Sequence, residues 1–60
     1  MYVIAMHMSH NRKLLGYRGP NDKIVPRVAA TRYKTHDGAT REAQELMEDN
    51  ADHLCIVQAA

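Results

Sequence analysis

Few residues in this chain have both the type and the spacing for chemistry. His7 and His10 lie close to Met6 and Met8, a soft donor set of the kind that suits copper. His53 and Cys55 stand two apart on one face of an apolar run, which offers two zinc-type ligands. Neither set has the spacing of a closed zinc site, and no CxxC or HExxH is present. Each set alone has too few ligands, so neither a metal nor any other cofactor is expected. A cysteine nucleophile needs a neighbouring base and a rigid cleft. Cys55 instead sits between Leu54 and Ile56, where a thiol behaves as a small hydrophobe. No glycine-rich loop precedes a helix at a phosphate-binding spacing, because Gly16 and Gly19 belong to a hairpin. The expectation is a protein that is not an enzyme.

Charge is the stronger signal. The formal net charge of +1 hides a polarised chain. Arg12, Lys13, Arg18, Lys23, Arg27, Arg32 and Lys34 precede residue 37 against only Asp22. Asp37, Glu42, Glu45, Glu48, Asp49 and Asp52 follow, against only Arg41. Such asymmetry steers charged partners, although it also serves plain solubility. Two contact sets result. Glu42, Glu45, Glu48 and Asp49 form an acidic helix face able to cover a basic protein surface. Arg12, Lys13, Arg18 and Lys23 are the alternative, a nucleic-acid contact set with Tyr17 or Tyr33 stacking on bases. Three tyrosines are the whole aromatic content, and the acidic helix would be repelled from a groove.

The elements that must position these groups follow from periodicity. Tyr2 to Met8 alternates as a strand, with Tyr2, Ile4, Met6 and Met8 on one face. Ser9 to Arg12 reads as a turn and Leu14 to Arg18 as the return strand. Gly19-Pro20-Asn21-Asp22 is the clearest turn, since Pro presets φ and Asn and Asp bond the backbone locally. Lys23 to Val25 makes a short third strand that Pro26 ends or confines to an edge. Arg27 to Thr31 predicts a single helical turn, and Arg32 to Lys34 an extended segment. Thr35 is the preferred helix cap, with Asp37 in competition. Ala39, Ala43, Leu46 and Met47 then trace one apolar stripe, and Leu54 to Val57 is a final strand. The predicted fold is α+β: an antiparallel sheet of three to four strands with one helix on one face, in the order βββαβ. The uncovered face would carry some of Val3, Ala5, Leu15, Tyr17 and Val57, a patch suited to homodimerisation or partner docking.

Sixty residues allow a single domain, 1–60, that buries only about 60% of the surface of its unfolded chain. A lone cysteine excludes an internal disulfide and fits a reducing compartment. The apolar stretch at Met1 is too short for a signal peptide, and no run approaches a membrane span. An intact cytoplasmic chain with no membrane partner is expected.

With Ala30, Tyr33, Thr35 and Ala39 in the pattern A-x-x-Y-x-T-x-x-x-A, the chain resembles a class of very small hairpin–helix–strand proteins of bacteriophages and mobile elements. Those with known roles include anti-CRISPR and other host-defence inhibitors, which act by binding. The resemblance implies a non-enzymatic accessory protein in the cytoplasm of a bacterial host. It would occlude a surface of a host protein or ribonucleoprotein complex, such as a CRISPR effector. A small nucleic-acid-binding regulator is the alternative.

Overall fold

The strand that organises the molecule is β1, Tyr2–Met8, whose four central residues Val3 to Met6 are all buried. The computed structural model describes residues 1–60. Both edges of β1 are paired antiparallel. β2 (Leu14–Arg18) lies on one side and β4 (His53–Ala59) on the other, and β3 (Ile24–Val25) continues the sheet beyond β2. The sheet order is therefore β3-β2-β1-β4, with a single helix α1, His36–Asp49, packed on β1 and β4. The fold is α+β. The chain departs from a plain βββαβ order only by two single 3₁₀ turns, Pro20–Asp22 and Arg27–Ala29.

Local chemistry explains these boundaries. In the first turn Asn21 and Asp22 both take positive φ, a region their short polar side chains tolerate. Lys23 lies just outside β3, which runs for only two residues before Pro26. Tyr33 does re-enter extended backbone, exchanging both backbone hydrogen bonds with Tyr2 at 2.8 Å. Thr35 caps α1, its Oγ1 accepting the Gly38 N–H at 3.0 Å. Gly16 is required where it stands. Its φ is +152°, and a Cβ there would lie 2.6 Å from Ile24 Cγ2.

The core lies between α1 and the β1–β4 half of the sheet. Ile4, Met6, Cys55, Ala39 and Ala43 form its buried centre, flanked by Tyr2, Tyr33, Leu46, Met47 and Val57. The alanines let α1 approach closely. Val57 thus belongs to the helix-covered face, because the register pairs it with Ile4, and not to the open face predicted for it. The final strand is also longer than its apolar run, since His53, Gln58 and Ala59 pair with Met8, Val3 and Tyr2.

The face away from α1 is partly covered. Val3 is 2% exposed and Ala5 is fully buried, Ala5 being flanked in register by Tyr17 and Ile56. Arg27 closes one end. Its Nη1 donates to Gln58 Oε1 at 2.9 Å and its Nη2 to the Ala59 carbonyl at 2.7 Å, with the guanidinium 5.4 Å from the Tyr17 ring centre. Leu14, Leu15 and Ile56 remain exposed.

Candidate functional site

α1 meets β1 and β4, so the β2–β3 half of the same sheet face stays open beside it. A shallow cleft of about 350 Å³ lies there, lined by Met6, Arg18, Asp22, Ile24, Leu46, Asp49, Asn50 and His53. Met6, Ile24 and Leu46 are its apolar lining, and Arg18, Asp22 and Asp49 its charged groups. Arg18 crosses it: the guanidinium is paired with Asp22, and its Nη2 donates to Glu42 Oε1 at 3.1 Å. Burial works against the charge on Arg18, but Asp22 and then Tyr33 more than offset it and raise its pKa. Arg18 is a structural cation joining turn, strand and helix.

That contact orients the helix. Glu42, Glu45 and Asp49, spaced by three and four, occupy the flank turned toward β2. Glu48 points further outward. Glu45, Glu48 and Asp49 are exposed and without an ion pair, whereas Glu42 is half-buried against Arg18. The structure thus brings all four acidic residues onto one side of α1, with Glu42 engaged internally. The opposite flank carries His36, Thr40, Gln44 and Met47, with Asp37 as its one carboxylate in the first turn.

The basic set is not gathered in the same way. Arg12 and Lys13 stand at the β1–β2 hairpin, where Lys13 N–H bonds Asn11 Oδ1 and Arg12 adopts φ of 58°. Lys23 follows the turn at the far end of β2, and Arg18 is ion-paired. Tyr17 is occupied by Arg27, and Tyr33 packs against the core.

His53 and Cys55 share the helix-facing side of β4, as their spacing predicts, but the N-terminal set divides. Met6 joins the core under α1, while His7, pairing with Leu14 and Leu54, faces the other side of the sheet. No three His, Cys, Asp or Glu side chains converge on a common point. Burial pushes the Cys55 thiol above its ordinary pKa, with Arg18 pulling it down only in part. It therefore stays protonated near neutral pH. No helix is long and apolar enough to cross a membrane.

The acidic flank was visible in the sequence spacing. The cleft beside it was not, because it depends on which strands the helix leaves uncovered. The chain matches no protein-family model, and no curated protein or solved structure matches it.

Proposed function

We propose that this protein works by binding: the acidic flank of α1 occupies a basic surface of a host protein or ribonucleoprotein complex and blocks it. The reading fits a phage-type accessory inhibitor acting in the bacterial cytoplasm. One observation carries it. Glu48 and Asp49 stand in the last turn of α1, which has no basic side chain, although the helix dipole already makes that end negative. Like-signed charge at a helix terminus costs about 0.3–1 kcal/mol per group, by the magnitude of the favourable case. Carboxylates placed at that end fit a cationic partner.

The test is inhibition of bacterial defence effectors, CRISPR complexes among them, by the wild type and by a Glu45→Lys/Glu48→Lys variant. The variant should lose inhibition while its thermal stability holds or rises slightly. Unchanged inhibition removes the acidic-flank mechanism. Neutralising Arg12, Lys13 and Lys23 should leave inhibition intact; a loss there, with steep salt dependence, would favour nucleic-acid binding instead.

A further inference from the structure

The outer edge of β4 is unusual for a folded protein. Native sheets blunt their edges with charges, proline, bulges or short strands. β4 has none of these along its seven residues, His53-Leu54-Cys55-Ile56-Val57-Gln58-Ala59, and carries no Lys, Arg, Asp or Glu. The opposite edge shows the contrast: β3 is two residues long, with Lys23 before it and Pro26 after it.

Which groups of β4 point outward follows from the ladder. Ala60 N–H bonds the Met1 carbonyl at 2.8 Å, and Tyr2 directs its own backbone groups to Tyr33 on the other side. Antiparallel pairs alternate, so Leu54, Ile56 and Gln58 bond to β1, while His53, Cys55, Val57 and Ala59 face outward. Two of the outward groups are already engaged. His53 N–H donates to the Asn50 carbonyl at 3.1 Å, and the Ala59 carbonyl accepts from Arg27. The N–H groups of Cys55, Val57 and Ala59 and the carbonyls of His53, Cys55 and Val57 have no partner in the chain.

We propose that β4 pairs antiparallel with β4 of a second copy about a two-fold axis at Ile56, joining the two sheets into one. This inference is independent of the inhibitor reading. The register follows from the groups already engaged. Centring on Ile56 sets His53 opposite Ala59, so the engaged His53 N–H meets the one carbonyl that already accepts. Cys55 and Val57 exchange both bonds with Val57 and Cys55 of the twin, and each Ala59 N–H reaches a His53 carbonyl. A shift of two residues toward the strand's start would strand the Val57 carbonyl against the engaged His53 N–H. Charge permits the approach, because the helix flank on this side is His36, Thr40, Gln44 and Met47, with Asp37 its one carboxylate, against the row of Glu42, Glu45 and Asp49 on the other flank. Ile56, 42% exposed, lies directly across from its own copy in a close, non-hydrogen-bonded pair. Assembly stops at two, because the edges left over are the short, proline-ended β3 strands.

The experiment combines solution mass with amide hydrogen exchange, from micromolar to millimolar chain. The expected mass approaches twice 6.8 kDa. Cys55, Val57 and Ala59 amides should be protected at high concentration and lose protection on dilution, with Leu54 and Ile56 amides unaffected. A chain that stays at 6.8 kDa at millimolar concentration overturns the proposal. So does a dimer whose Cys55 and Val57 amides exchange freely. Ile56→Lys and Ile56→Asp should each be monomeric with unchanged circular dichroism, and mixing them should restore a dimer through opposite charges at the axis. Dimers in both single variants would refute the register. Should either variant not fold, exchange on the wild type decides.

Discussion

Cys55 tests how the core handles a titratable group. Its thiol is enclosed by the helix-facing side of the sheet, and burial raises its pKa above that of an unfolded cysteine, about 8.5. Alkylation at neutral pH should therefore be slow in the native protein and fast in urea, as read by mass spectrometry. The pH dependence has a defined sign. A folded pKa raised above the unfolded value gives stability that is complete below the unfolded pKa and is lost as pH rises through the folded one. The difference in urea midpoint between wild type and Cys55→Ala should shrink as pH rises above about 8.5. A constant difference would mean that the thiol titrates alike in both states. Arg27 shows the limit of reading residues singly. As a type it suits phosphate, but here it ties Tyr17, Gln58 and Ala59 together, which only the folded chain brings into reach.

Among the elements, α1 depends most visibly on one local bond. Thr35→Ala removes the acceptor for Gly38 N–H and should cost about 1 kcal/mol. In a chain of this size that is about 4–8 °C in melting temperature, measured by circular dichroism. An unchanged melting temperature would mean that Asp37 or water replaces the cap. The cap, the apolar stripe and β1 were legible because each is a local pattern repeating at its element's period. The length of β4 was not. Gln58 and Ala59 have no apolar signal, and they are strand residues because β1 offers Val3 and Tyr2 as partners. The same long-range pairing turned Val57 toward the helix. The acidic site was half legible: spacing put Glu42, Glu45, Glu48 and Asp49 on one face of the helix, but the engagement of Glu42 by Arg18 needed the fold.

At the scale of the whole molecule, the constraint is how little the chain buries. Eight residues are buried, the largest fully enclosed side chains are Ile4 and Val3, and no disulfide is available. Domains this small commonly draw on an added constraint, and association is one of the few open to this chain. Pairing through β4 would couple association to folding by mass action, since only the folded edge can pair. The melting temperature of the wild type should then rise with protein concentration. Ile56→Lys should melt at one temperature throughout, near the wild-type value in dilute solution, because its side chain is exposed in the single chain. A scanning-calorimetry series over a hundredfold dilution reads both. A wild type that ignores concentration would place the stability within one chain. The support would then come from the Arg18 ion pairs on one face of the sheet and the Arg27 contacts on the other.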